Sequence, residues 1–557
     1  MKLSMLLLLL MMTTMAISNE LIDVTIKHNS ENDSWRVTYQ LPKPVTQMYF
    51  YRPGRLPRDQ WHIEESNLDI KKEADGWQSI NSTDGQMFDH FSINFASDYR
   101  HTPKDYELNF RFTDGSVVLY TGHLMLTSDQ DDKPKHRITV VPGNKAHVIF
   151  DGQVFVEKYS WEDEELQGTY VYFGQIEPVK SQRMLAILDP GLPQWVLKRL
   201  NQDLPKLFDF YTEKTGLALD FIPVIYFSFK PNEAPGTQYS GGTLPGLIQF
   251  SIQGNDWQQQ SESNLIGILH FLAHEAAHLW NSQMIENAGG HNSSWIHEGA
   301  ADAFAVRAIQ HLGVFNQNDI LFEHEKYLNS CIQALNGHAL MAFEAHGNFN
   351  AYYHCGSTIA LLTEIAMQNK DQSSTVFTFW ASIMERVNRL KQPLSAFQYL
   401  KSLLVLTSED TLAVHIMTLL EEPQTDPIRF FSQMFEDVGL QLTPVAQHPR
   451  MARKAAEKAF SHLMELDCQG SRSYERRGLY FEVSEGLSCA TLKAGMKINS
   501  IGGFKTVDAG HQVHQAVLEN CEQNKKVPLI TEDGAILNIV CTKKLVPQKP
   551  WLSMPKT

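Results

Sequence analysis

A His-Glu-x-x-His motif inside a helix-forming apolar run constrains this chain more than any other feature. The motif occupies residues 274–278 within the run 270–280. Residues four apart lie on one face of an α-helix, so His274 and His278 can offer two imidazoles to one metal ion. Glu275 projects beside them, where its carboxylate can take a proton from an activated water. The motif therefore predicts a helix that carries a zinc site, and sites of this kind hydrolyse peptide bonds.

A pattern this short needs support from its context. Histidine makes up 22 of the 557 residues, so a helix with two ordinary histidines is the alternative. Catalytic zinc takes three protein ligands and leaves one position open, and the third ligand should come from a nearby helix. The stretch 295–305, small and apolar on one side, provides such a helix.

Two carboxylates in this second helix complete the predicted site. Glu298 is the expected third zinc ligand. Asp302, one turn later, is placed to accept the free N–H of a ligating imidazole, that of His274. Solvated surface carboxylates are the alternative for both. His297 is a rival ligand, but as the neighbour of Glu298 it should point about 100° away around the helix.

Three segments together resemble the glycyl aminopeptidases, gluzincin relatives of aminopeptidase N and leukotriene-A4 hydrolase. They are His-Glu-Ala-Ala-His-Leu-Trp-Asn at 274–281, Trp-Ile-His-Glu-Gly at 295–299 and the Tyr-Tyr-x-x-Gly stretch within 350–362. The resemblance implies that the Tyr353 phenol stabilises the oxyanion of the reaction. Tyr352 is the alternative, as is an aromatic pair that only packs at a helix start. The three ligands at helix spacing imply one Zn²⁺ per chain.

Two departures from the family pattern bear on specificity. Nineteen residues separate His278 from Glu298, whereas aminopeptidase N has eighteen. In addition, the glycine-rich strand that should bind substrate keeps Gly241 and Gly242, but Leu244 stands where the family has a glutamate for the substrate's α-amino group. An apolar side chain cannot pair with an ammonium group. We therefore expect zinc hydrolysis, with exopeptidase specificity in doubt.

Charge and the N-terminus bear on partners and location. The net charge is −15 and there is no dense Lys/Arg run, which argues against nucleic acid or an anionic membrane surface as a partner. Residues 1–18 read as a signal peptide, with Lys2, the apolar run 6–12 and small residues before Asn19. The run is too short to span a bilayer, so an uncleaved anchor is the weaker alternative. We expect an exported protein, periplasmic or secreted.

Six cysteines are compatible with full pairing in an oxidising compartment. Fifteen pairings are possible and the sequence does not choose among them. A Cys331–Cys355 bond, close to Tyr353, is one hypothesis. The chain has no Cys-x-x-Cys pair, so a zinc–cysteine site is disfavoured.

The pattern along the chain predicts a multidomain α+β protein. Alternating short runs predict an antiparallel N-terminal β-sandwich over 19–184. A small sheet, the zinc helix and a helical second half predict a thermolysin-like zinc peptidase domain over 185–450, with an edge strand able to hold an extended peptide. Residues 465–545 resemble a PDZ domain, whose Gly478-Leu-x-Phe loop would bind a chain-terminal carboxylate of a peptide partner.

Peptides or proteins are the expected substrates. The rival from another class is a catalytically inactive, peptidase-like scaffold that binds peptides, which Leu244 and the PDZ-like tail would suit. A third possibility is hydrolysis of a non-peptide substrate, and no residue specifically supports it. Against an inactive scaffold, each residue expected to act on the substrate bond is present.

Overall fold

The structure, a computed structural model, describes residues 21–52, 56, 58–74, 76–97, 106–129, 132–143, 146–231, 236–281, 293–342, 349–484 and 486–555. The predicted signal peptide lies outside these ranges. The chain divides into two compact units. The first unit comprises Met1–Thr212 and Ala218–Ile268, and the second comprises Glu213–Leu217 and Leu269–Thr557. The predicted domain boundaries remain predictions.

The first unit is built mainly from strands. The strands are β1 Leu21–Asn29, β2 Ser34–Val45, β3 Gln47–Phe50, β4 His62–Ile63, β5 Leu68–Lys72, β6 Gln78–Ser82, β7 Phe88–Ala96, β8 Asn109–Arg111, β9 Val117–Tyr120, β10 Leu126–Thr127, β11 Lys135–Val141, β12 His147–Phe150, β13 Gln153–Phe155, β14 Tyr159–Asp163, β15 Tyr170–Gly174, β16 Val179–Lys180, β17 Leu185–Leu188, β18 Val224–Lys230, β19 Gln238–Leu244 and β20 Leu247–Gln253. Helix α1, Gln194–Thr215, connects β17 to β18.

The N-terminal strands form three sheets, in the orders β14-β11-β1-β2-β7-β4, β10-β3-β6-β5 and β13-β12-β15-β9-β8. Alternate residues of β1 (Ile22, Val24 and Ile26) point into a shared apolar core, as the period of two predicts. The predicted strands are confirmed, but the purely antiparallel arrangement is wrong, because β1 runs parallel to β11. Strand periodicity does not reveal the direction of a neighbour.

A fourth sheet follows, in the order β16-β17-β18-β20-β19. Strands β17, β18 and β20 are parallel, and the edge strand β19 is antiparallel to β20. All four residues of β17 and the first six of β18 are buried, as expected for parallel strands covered on both faces. Gly241 and Gly242 lie in β19, the edge strand of this sheet.

The second unit is helical for most of its length. Its helices are α2 Glu262–Asn281 (which begins in the first unit), α3 Ser294–His311, α4 Gln317–Leu335, α5 Asn350–Gln368, α6 Val376–Leu390, α7 Ala396–Thr407, α8 Asp410–Glu421, α9 Pro427–Asp437, α10 Ala452–Asp467 and α11 Gly510–Glu522. Strands β21 Thr443–Val445 and β28 Trp551–Ser553 pair with each other. Within the described ranges, no helix combines the length and the apolar character needed to cross a bilayer.

A small sheet closes the second unit. Its strands are β22 Tyr474–Arg477, β23 Tyr480–Val483, β24 Lys497–Ile501, β25 Phe504–Lys505, β26 Lys526–Thr531 and β27 Ile536–Val540. Helices α10 and α11 share its apolar core, with Phe460 and Val517 among the buried residues. The β-rich unit expected over 465–545 is present, whereas its assignment as a PDZ domain stays a prediction.

All six cysteines are paired: Cys331 with Cys355, Cys468 with Cys489, and Cys521 with Cys541. The first pair is the one suggested from the sequence. It joins α4 to α5 two residues from Tyr353.

Candidate metal centre

Three predicted metal ligands converge in the second unit. His274 and His278 lie one turn apart on α2, as the motif requires, and Glu298 comes from the start of α3. The Nε2 atoms of the two imidazoles are 3.2 Å apart. The Glu298 Oε2 atom lies 3.1 Å from the Nε2 of His274 and 3.3 Å from that of His278. The three atoms therefore form a nearly equilateral triangle.

The outer nitrogen of each imidazole faces an acceptor. His274 Nδ1 lies 2.8 Å from Asp302 Oδ1, the pairing predicted from the sequence. His278 Nδ1 lies 3.1 Å from Asn281 Oδ1. Because both acceptors need a proton on Nδ1, each ring in its neutral form directs the lone pair of Nε2 at the Glu298 carboxylate. Three acceptors directed at one point repel each other unless a cation or a proton lies between them.

Asn281 is the residue whose role was missed from the sequence. Its Nδ2 donates to the backbone oxygen of His297 at 2.9 Å, which leaves Oδ1 turned toward His278. Its own backbone oxygen accepts from His297 Nδ1 at 2.8 Å. The available signal was its position three residues after His278, where a helical side chain can reach the ring.

The hydrogen bonds with Asn281 also fix the position of His297. The ring is buried and turned to Asn281, and it is not among the three residues that converge. Burial lowers its pKa to about 4, so the ring stays neutral. His297, the rival ligand, is therefore hydrogen-bonded to α2 and lies on a different side of α3 from Glu298.

The donor triangle fits zinc. Ligand atoms about 2.0–2.1 Å from a tetrahedral ion lie about 3.3–3.4 Å from each other, close to the three distances found here. Two imidazoles and one carboxylate are also a set that catalytic zinc uses, with a fourth position left open. The residues present therefore suit Zn²⁺ in type, number and spacing.

The charges around the triangle favour a cation. Burial by itself lowers the pKa of His274, but hydrogen bonds to Asp302 and Glu298 outweigh it and raise that pKa well above its usual value. Burial likewise opposes ionisation of Glu298, yet its contacts with His274 and His278 hold the pKa of the carboxyl far below the usual range. The pocket thus stabilises positive charge between these side chains.

Glu275 and Tyr353 complete the set of predicted catalytic residues. Glu275 follows His274 on α2 and is buried. The Tyr353 ring lies against the His274 ring, with centroids 5.6 Å apart and planes at 23°. Burial, reinforced by the carboxylates of Glu298 and Glu275, raises the pKa of the Tyr353 phenol, which therefore keeps its proton. Tyr352, the alternative, is buried in the core of the helical region.

A pair of glycines brings α3 and α5 close together. A Cβ on Gly299 would lie 2.1 Å from the backbone carbon of Gly356, and a Cβ on Gly356 would lie 2.0 Å from the backbone oxygen of Trp295. Both glycines belong to the motifs noted in the sequence. Each stands within three residues of a site side chain, Glu298 or Tyr353, so the close crossing sets the separation of these two groups.

Helix α4 supports the site from another direction. The Tyr327 hydroxyl lies 2.7 Å from His270 Nε2, one turn before His274, and it also hydrogen-bonds to Asp302. Cys331, one turn after Tyr327, is joined to Cys355 of α5. Helix α4 is therefore linked to Asp302 by a hydrogen bond and to α5 by a disulfide.

The predicted substrate-binding glycines lie in the first unit. A Cβ on Gly242 would meet no atom within 4 Å, so the strand leaves open space there. Leu244, at the end of the same strand, is 5% exposed and packs in an apolar cluster with Phe110 and Val224. Its side chain thus has a structural role in the core of the first unit.

Comparisons with known proteins give fold-level likeness alone. No protein-family model and no curated protein matches the chain. Among solved structures, native leukotriene A4 hydrolase from Saccharomyces cerevisiae is similar, with 15% identity over 81% of this chain and 72% of that chain and a TM-score of 0.45. The same yeast enzyme in complex with bestatin shares 15% identity over 80% and 72% of the two chains, with a TM-score of 0.43. At these identities and TM-scores, the likeness concerns the fold and not the activity.

Proposed function

We propose that this protein is a zinc-dependent peptidase of the gluzincin type, with one zinc held by His274, His278 and Glu298. The observation that carries the proposal is the triangle of two Nε2 atoms and one carboxylate oxygen, with both Nδ1–H groups engaged by Asp302 and Asn281. A helix with two ordinary histidines has no reason to turn both lone pairs toward a carboxylate.

Zinc bound there would supply a Lewis acid that polarises the scissile carbonyl and lowers the pKa of water. Glu275 takes a proton from the attacking water and passes it to the leaving amine. The protonated Tyr353 phenol donates a hydrogen bond to the oxygen on which negative charge develops. Asp302 and Asn281 hold the two imidazoles in the tautomer that zinc needs.

As the family resemblance implies, Gly241 and Gly242 are the proposed substrate-binding residues. Leu244 offers no carboxylate for a free α-amino group, and burying an unpaired ammonium costs several kcal/mol. The enzyme therefore cleaves N-blocked peptides at least as well as free ones. Another carboxylate could take this role, and the sequence offers Asp256 and Glu286, of which Glu286 lies outside the described residues.

Export and a peptide-binding C-terminal unit belong to the same proposal. Three disulfides that use all six cysteines suit an oxidising, periplasmic or secreted location. The turn at Gly478 and Leu479, between β22 and β23, is the PDZ-like loop that would take a chain-terminal carboxylate.

Metal content and two variants test the core of the proposal. Protein purified without added metal should contain about one zinc per chain. Glu275→Gln should keep that zinc and lose nearly all peptide hydrolysis, since it removes only the base. Glu298→Ala should lose zinc affinity itself. An active protein without zinc would refute the site, and zinc-loaded protein that cleaves neither free nor blocked peptides would favour the inactive scaffold.

A further inference from the structure

A cavity of about 900 Å³ lies within the first unit, at the carboxyl ends of β18 and β20. One wall is the fourth sheet, and the opposite wall is β8 with the turn that follows it. Carboxyl ends of parallel strands are a usual place for ligands in α/β sheets. Each described lining residue belongs to the first unit, so the cavity is separate from the residues of the metal centre.

A row of three serines crosses this wall. Ser228 of β18 is in register with Ser251 of β20, which is in register with Ser240 of β19. They share a face, because the residues four positions away on these strands (Val224, Leu247 and Leu244) all belong to one apolar cluster with Phe110 of β8. Neighbouring strands are about 4.8 Å apart, so the two oxygens of one carboxylate can reach serines on adjacent strands.

The Ser228 hydroxyl has no partner among the described residues, although its side chain is 2% exposed. A buried hydroxyl without a hydrogen bond loses its hydration without compensation and destabilises the fold. Because Ser228 lines the cavity, a molecule bound there can accept a hydrogen bond from its hydroxyl. This residue distinguishes the cavity from a simple gap in packing.

The described lining residues include two cations, Arg111 and Lys230, and no carboxylate. Arg111 forms an ion pair with Asp33, which lies outside the lining. Phe110 and Phe112 contribute apolar surface on the opposite wall. The hydroxyls and Lys230 on one wall, with aromatic rings on the other, suit an anion that carries an apolar body.

Asp189 fixes the two walls relative to each other. Its buried carboxylate accepts from the backbone N–H of Thr113 at 3.1 Å and from that of Phe229 at 2.9 Å. Gly191 N–H donates to it at 2.9 Å, and the Thr113 hydroxyl donates as well. Thr113 and Phe229 both line the cavity, so its shape is set before any ligand binds.

We propose that this cavity binds a small organic carboxylate with an apolar body. The carboxylate accepts hydrogen bonds from Ser228 and Ser251 and lies in the field of Lys230. The apolar body packs against Phe110 and Phe112. The site does not depend on the zinc proposal, because it shares no residue with it.

Calorimetric titration of the full protein with 3-phenylpropanoate tests this site. Loss of a hydrogen bond to a charged group is worth about 1.5–3 kcal/mol, so Ser228→Ala should weaken binding roughly 10- to 100-fold. The matched control is Ser402→Ala, another buried serine without a partner among the described residues, which lies in α7 of the second unit. It should leave affinity unchanged. Lys230→Gln, at an exposed position, should weaken binding and reduce its salt dependence.

Two further ligands test whether the cavity requires both the carboxylate and the apolar body. The neutral 3-phenylpropanamide should bind at least roughly tenfold more weakly than the acid. Inorganic phosphate should bind more weakly still, because it has no apolar body. Absence of 3-phenylpropanoate binding, equal affinity in Ser228→Ala and the parent protein, or a preference for phosphate would each overturn the proposal. If 3-phenylpropanoate bound at the metal centre instead, Ser228→Ala would leave its affinity unchanged, because Ser228 is not part of that centre.

Discussion

At the candidate metal centre, a single hydroxyl is expected to control the rate. The Tyr353 phenol is held in its protonated form by burial and by the carboxylates of Glu298 and Glu275. Tyr353→Phe removes only the donor, so kcat should fall roughly 10²–10³-fold with little change in KM. Steady-state kinetics on a peptide substrate measure this. The matched control is Tyr352→Phe, at the adjacent buried tyrosine. A fall in kcat in that variant alone would mean that Tyr352, and not Tyr353, is the donor.

The amide of Asn281 acts through the histidine that it orients. Asn281→Leu removes the acceptor of the His278 Nδ1 proton and should weaken zinc affinity roughly 10- to 100-fold, the usual cost of losing such a partner. Competition with a chelator of known affinity gives the number. Asn264→Leu, at the partly exposed start of the same helix, should leave zinc affinity unchanged. Equal zinc affinity in both variants would mean that Asn281 only contacts His297 at the end of the helix and does not orient His278 for zinc.

At the level of helices, the contact between Gly299 and Gly356 controls how α3 and α5 cross. Gly356→Ala would place a methyl group 2.0 Å from the backbone oxygen of Trp295, so the helices must separate. We expect a loss of about 1–3 kcal/mol or more in stability and a larger loss in turnover, because Glu298 and Tyr353 move apart. Thermal unfolding and kinetics of the same preparation measure the two effects.

Gly267 provides the matched control for that substitution. It is also a helical glycine, but a Cβ there would meet only the Tyr239 ring, at 3.8 Å. Gly267→Ala should be neutral or stabilise the protein by up to about 1 kcal/mol. If both variants behave alike, the close crossing has no special role.

The parts of this site that a sequence can predict are those set by local spacing. His274 and His278 are one turn apart, and Glu298 and Asp302 are too, so helix periodicity alone groups each pair. The role of Asn281 depends on the backbone of His297, and that of Gly299 on a helix more than fifty residues later. Strand direction and the Ser228–Ser251–Ser240 row likewise depend on pairing between distant segments. None of these contacts leaves a periodic signal in the sequence.

Across the whole molecule, buried neutral histidines should make the fold sensitive to acid. Burial lowers the pKa of His136 in the first unit to about 4, and it lowers those of His324 and His514 in the second unit to about 3 and about 4. His136 accepts from the backbone N–H of Leu126 at 3.0 Å and faces the Pro134 oxygen at 3.0 Å, so its neutral form is part of the sheet contacts.

The direction of the pH effect follows from these shifts. An unfolded histidine binds protons below its ordinary pKa of about 6.5, whereas buried His136 does not bind one until about pH 4. Its contribution to stability is therefore complete above pH 6.5 and is lost as the pH falls toward 4. Between pH 7.5 and pH 5 this single residue should cost about 2 kcal/mol of folding free energy.

Urea unfolding of the full protein at pH 7.5 and pH 5, followed by circular dichroism, measures the loss. His136→Gln should be less stable at pH 7.5, because Gln cannot reproduce both ring contacts. Its stability should nevertheless fall less on acidification, since the titrating group is gone. His62→Gln, at an exposed position of the same unit, should keep the pH dependence of the parent protein. If His136→Gln also keeps it, the acid sensitivity arises from other groups and His136 has no part in it.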